Sequence, residues 1–88
     1  MSANNQTLIK EHNGKWYIFT NVMAESWGGR NPNTLYAKYA SAVCDTRDEA
    51  YEEALEIDSN QGEFGQGTEY GVQFNRLCKD DGEIIIKN

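Results

Sequence analysis

Basic residues are scarce in this chain: eight lysines and arginines stand against fourteen acids, for a net charge of −6. They are also scattered singly, at Lys10, Lys15, Arg30, Lys38, Arg47, Arg76, Lys79 and Lys87. Direct nucleic-acid binders concentrate such groups to neutralise phosphates. The charge therefore argues against direct nucleic-acid binding and against docking on an anionic membrane, and it favours a basic protein partner. Apolar runs are short, Ile84-Ile85-Ile86 among them, and fall far below the roughly 20 residues of a membrane span. The opening MSANNQTLIKEHNG has no basic segment followed by an apolar block. No signal peptide is expected from it, and the cytoplasm is the expected location.

Metal-binding and catalytic residues are equally sparse. Cys44 and Cys78 lack a CxxC partner, and His12 is the single histidine. A zinc site takes about four ligands at recognisable spacing, so neither a metal nor another cofactor is expected. The two thiols read as small, partly buried side chains that would pair only in an oxidising compartment. The chain has no GxSxG, no P-loop and no GxGxxG opening a helix. General acid–base work needs a carboxyl held in a cleft or apolar pocket, whereas the acids here gather on the outer side of a helix. His12, beside a turn, reads as exposed and inert. The expectation is that the protein is not an enzyme.

What is present is enough for one core. The 88 residues are 39% hydrophobic and 11% aromatic, too apolar for a disordered chain and sized for a single domain, 1–88, with residues 1–5 frayed. TLIKEH and KWYIFTNV flank Asn13-Gly14, a strong hairpin signal because a type I′ turn needs positive φ at both central residues. In the second of these strands Trp16, Ile18, Thr20 and Val22 share one side, and Tyr17, Phe19 and Asn21 the other. Apolar residues on both sides indicate a central strand. Residues 23–34 form a long loop around Gly28-Gly29 and Asn31-Pro32-Asn33. LYAKYASAVC then reads as a third strand whose alanines leave room for a helix.

That helix opens in CDTRDEAYEEALE, with Thr46 as N-cap and Glu49 three residues on as its capping-box partner. Ala50, Tyr51, Ala54, Leu55 and Ile57 fall on one arc, and Asp48, Glu49, Glu52, Glu53 and Glu56 on the other. The helix should stop near Ser59-Asn60. A fourth strand, EYGVQFNRL, and a fifth, EIIIKN, are expected to pair through a turn at Asp81-Gly82. The predicted fold is α+β: an antiparallel sheet of about five strands, ordered β-β-β-α-β-β along the chain, with one amphipathic helix on one face. A single helix leaves the sheet's other face, with Tyr17 and Phe19, for a loop or a partner to cover.

Two surfaces are candidate partner sites. On the helix, Asp48 and Glu52, Glu49 and Glu53, and Glu52 and Glu56 are like-charge i,i+4 pairs, each costing a few tenths of a kcal/mol. Lysine stands at none of the i+4 positions. A charge run is usually a solvated face; the sharper reading makes Glu49, Glu52, Glu53 and Glu56 a negative stripe aimed at a basic groove. In the loop, Trp27 with Arg30 beside it pairs two residue types enriched at binding hot spots, although Trp27 would equally serve to cover the open sheet face.

The hairpin with Gly14-Lys15-Trp16-Tyr17, a further strand, and Asp45-Thr46-Arg47-Asp48-Glu49-Ala50 at a helix start resemble the arm-type DNA-binding domains of phage-type integrases. The Asp81-Gly82-Glu83-Ile84 turn extends a similar outline shared with small bacterial domains of uncharacterised function. The resemblance implies a three-stranded sheet with one helix and an origin in bacteria or their phages. DNA binding does not carry over, because the matching strands present Tyr17, Phe19 and Tyr39 rather than bases. The functional expectation is a small acidic protein–protein interaction module. The alternative is an inhibitor that mimics DNA, offering its acidic helix to a nucleic-acid-binding groove in the manner of anti-restriction or anti-CRISPR proteins. A homodimer through the open sheet face or the 84–86 edge is a further possibility.

Overall fold

The computed structural model describes residues 5–23, 34–60, 67–68, 70–74 and 84–88, with only the backbone of residues 21 and 23. Along the chain run β1 (Asn5–His12), β2 (Lys15–Met23), β3 (Thr34–Tyr36), a 3-10 turn (Ala37–Tyr39), β4 (Ala42–Cys44), α1 (Arg47–Ser59), β5 (Val72–Phe74) and β6 (Ile85–Lys87). The fold is α+β, as expected, with its helix packed on sheet strands. The sheet is not one antiparallel unit. A four-stranded mixed sheet has the order β4-β2-β1-β5, and β3 and β6 form a separate two-stranded sheet.

The β1–β2 hairpin is as the sequence indicates. Asn13 and Gly14 both take positive φ, 53° and 82°, the geometry that a two-residue turn needs to match strand twist. Further up the hairpin, Gln6 lies opposite Val22 and Leu8 opposite Phe19. Three steps along β2 thus match two along β1, a bulge that reverses the alternation. Val22 therefore packs with Phe19 rather than on the side of Ile18.

The expected third strand is divided. Residues 37–40 turn in a 3-10 bend closed by Ala40 N–H to the Ala37 carbonyl, and the Ser41 N–H then bonds the Ile18 carbonyl at 2.7 Å. Alanine and lysine are weak strand formers, so YAKYA yields to the turn. One segment thereby serves both sheets: β3 in the small one and β4 at the edge of the large one.

The expected pairing of the last two strands is also replaced. β5 runs parallel to β1, with Thr7 opposite Val72 and Ile9 opposite Phe74. β6 runs parallel to β3, with Leu35 opposite Ile86. Parallel neighbours need a crossover, usually a helix, and α1 lies on the path into β5. The turn expected at Asp81-Gly82 lies outside the described residues.

Three layers result. On one side of the large sheet, Ile9 and Ile18 pack under Ala50 and Ala54 of α1, with Trp16, Ala42, Cys44, Ile57, Val72 and Phe74 around them. On the other side, Leu8, Phe19 and Val22 meet Ile84 and Ile86, flanked by Tyr17 and Leu35. The face expected to be open is thus covered by the small sheet. This explains why β1 buries four consecutive residues, Gln6 to Ile9: it is a central strand roofed on both faces. It also corrects the view of the isoleucine edge, since Ile84 and Ile86 are core residues and Ile85 alone of the three faces outward. Among the described residues no helix is long and apolar enough to cross a membrane.

Candidate functional site: the outward side of helix α1

The helix starts where its cap dictates. Thr46 Oγ1 accepts the Glu49 N–H at 3.2 Å and donates to the Glu49 carboxylate at 3.1 Å. The reciprocal bond runs through the hydroxyl, whereas an ordinary capping box uses the backbone N–H of the cap residue. At the other end, Ser59 Oγ and Asn60 Nδ2 both donate to the Glu56 carbonyl, at 2.8 and 3.0 Å, satisfying a group that helix ends leave without a partner.

Packing narrows the buried stripe to Ala50, Ala54 and the half-buried Ile57. Tyr51 and Leu55, expected on the packed arc, are instead 43% and 45% exposed. The cause is the small size of Ala50 and Ala54. The helix lies close to Ile9 and Ile18, so larger neighbours on the stripe's edge are carried past the sheet margin. Tyr51 then stacks on Phe74 of the edge strand β5, with centroids 5.7 Å apart. Trp16 meets the same ring edge-on, and the Arg47 guanidinium lies 4.0 Å over it.

Asp48, Glu49, Glu52, Glu53 and Glu56 are exposed, as the sequence indicates, and a rotation of about 100° per residue divides them into two groups. Glu49, Glu53 and Glu56 flank the β4 side. Asp48 and Glu52 lie on the outermost line beside Leu55. The first group makes its field felt at Cys44: burial pushes this free thiol's pKa up, and Glu53, Glu49 and Asp45 push it further. Asp45 is ion-paired with Lys15 at 2.6 Å, a bond that lowers the Asp45 pKa and raises that of Lys15. Asp48, Glu52, Glu53 and Glu56 have no ion-pair partner among the described residues.

Of the expected site residues, the structure brings Glu49, Glu52, Glu53 and Glu56 onto one exposed helix surface. Trp27 and Arg30 lie outside the described residues, as does Cys78. His12 is half-buried, its ring bonded to Asn88 Oδ1 at 3.0 Å and edge-on to Tyr17. No group of three or more potential metal ligands occurs among the described residues.

Sequence reasoning missed Asp58. Its Oδ1 accepts from Thr7 Oγ1 at 2.7 Å, Thr68 Oγ1 at 2.6 Å and Thr68 N–H at 3.2 Å. Burial opposes its charge, but the hydrogen bonds from Thr68 and Thr7 outweigh it and hold the carboxyl below its usual pKa. Gly67 is the residue that permits this. Its φ is +84°, and a Cβ there would come within 2.8 Å of Asp58 Oδ2. This clamp ties the last turn of α1 to β1. The glycine-rich segment after the helix was the only signal for it.

Comparison with protein-family models, with curated proteins and with solved structures found no match to this chain. The functional reading therefore rests on its own residues.

Proposed function

We propose that this chain is a small, acidic, non-enzymatic protein-interaction module that meets a basic partner protein through the outward side of α1. One observation carries the reading. Asp48, Glu52, Glu53 and Glu56 are exposed on one short helix with no ion-pair partner among the described residues, although their i,i+4 repulsion costs helix stability. Near the C-terminus Glu56 also opposes the helix dipole. Asp48 in the first turn gains from that dipole, but Glu52, Glu53 and Glu56 do not, and a cationic partner that neutralises them accounts for the arrangement.

A second reading has its own support. Glu49, Glu53 and Glu56 follow one flank of the helix at separations of about 5–6 Å per turn. Such a row can stand in for a phosphate backbone in a basic groove. On that reading the module is a nucleic-acid decoy.

Affinity capture from the native cell extract tests both. The wild-type chain should retain a basic protein that elutes as salt rises, and Glu49→Lys/Glu53→Lys/Glu56→Lys should lose it while remaining folded. Displacement of the captured protein by duplex DNA would select the decoy reading. Capture that survives the charge reversals but fails on Trp27→Ala would place the contact in the 23–34 loop and overturn the assignment to α1.

A further inference from the structure

The exposed Tyr51 and Leu55 have no role in the charge argument, yet they are two large apolar side chains left in water beside an aromatic ring. Tyr51 stacks on Phe74 of β5, and the Arg47 guanidinium lies over the same ring, so Tyr51, Leu55 and Phe74 make an apolar patch along the α1–β5 margin. Phe74 is packed between Trp16 and Tyr51, and α1 is tied at its ends by the Thr46 cap and the Asp58 hydrogen bonds. Asp48 lies one turn before Tyr51 and Glu52, and Glu52 one turn before Leu55. The patch is therefore edged by carboxylates that lack an ion-pair partner among the described residues.

We propose that this patch, within the surface assigned above, packs against an apolar side chain of a partner's cationic amphipathic helix, whose lysines or arginines pair with Asp48 and Glu52. The proposal rests on that assignment and adds what anchors the contact. Charge complementarity decides the occupant. A second copy would set acids against acids, since a two-fold contact places the same patch on both sides. An anionic lipid surface would be repelled for the same reason. A cationic helix with apolar residues at i, i+3 and i+4 supplies both what the patch and what its rim lack. Arg47 occupies the end nearest the helix N-terminus, so the partner's cationic residues fall towards Glu52.

The test titrates the ¹⁵N-labelled chain with two synthetic helical peptides of about 18 residues. Both carry the same number of lysines. One has leucines along one face, and the other has alanines in their place. The proposal expects the leucine peptide to shift amides of α1 and β5, centred on Tyr51, Leu55 and Phe74, and to bind at least about tenfold more tightly than the alanine peptide. Leu55→Ser, a change at an exposed position, should remove most of that advantage. Equal binding of both peptides overturns the apolar patch as anchor while leaving the acidic-surface reading intact. Shifts confined to β3 and β6 overturn it too. No binding of either peptide at low salt overturns both the patch and the acidic surface.

Discussion

Thr7, in the middle of the central strand, donates its hydroxyl to the carboxylate of Asp58, in the last turn of the helix, at 2.7 Å and across 51 positions of sequence. With Thr68 supplying two more donors to the same oxygen, this one carboxylate joins β1, α1 and the approach to β5.

Asp58→Ala should therefore destabilise the chain by about 1.5–3 kcal/mol, the range for hydrogen bonds to a charged group, read as a lower urea midpoint. The pH dependence follows from the direction of the shift. A carboxyl whose folded pKa is depressed contributes stability above its unfolded pKa and loses it as pH falls through the folded value. The wild-type advantage over Asp58→Asn should hold at neutral pH and fade below the ordinary aspartate pKa of about 3.9.

Gly67→Ala should be costly for two reasons, the positive φ and the close approach to Asp58. A loss of more than about 1 kcal/mol is expected. In the Asp58→Ala background most of the steric part should vanish, a non-additivity that a double-mutant cycle measures directly.

Gln6 is fully buried, and neither its amide nitrogen nor its amide oxygen has a hydrogen-bond partner among the described residues. An unsatisfied buried amide costs about 1–3 kcal/mol. Gln6→Met, close in volume, should leave the thermal midpoint unchanged or raise it. A marked fall would show that the amide is bonded in solution.

The field of the glutamate flank can be read chemically at Cys44. In a Cys78→Ser background the thiol should react slowly with a disulfide reagent at neutral pH, because only the thiolate attacks. Glu53→Lys removes a charge that raises the Cys44 pKa, so the reaction should accelerate. An unchanged rate would mean that burial alone governs the thiol.

Local signals were the legible part of the sequence. The Asn13-Gly14 turn, the Thr46 cap and the end of the helix near Ser59 all depend on neighbours within a few residues, and each occurs where the sequence indicates. Pairing was not legible. Nothing local tells Val72–Phe74 to run parallel to β1, or Ile85–Lys87 to join Thr34–Tyr36. The bulge that turns Val22 over likewise depends on the partner strand. At the candidate site, helical spacing identified the exposed acids but placed Tyr51 and Leu55 within the packed arc, whereas they lie at its exposed edge. Spacing records angle around the axis, and only packing shows how narrow a stripe two alanines allow.

Amide hydrogen exchange on the chain alone and in complex with a captured basic partner tests the central claim most directly. The account predicts added protection across Arg47–Ser59 and Val72–Phe74 in the complex, with little change in Thr34–Tyr36 and Ile85–Lys87. Protection confined to the small sheet or to residues 23–34, with α1 unaffected, would contradict it.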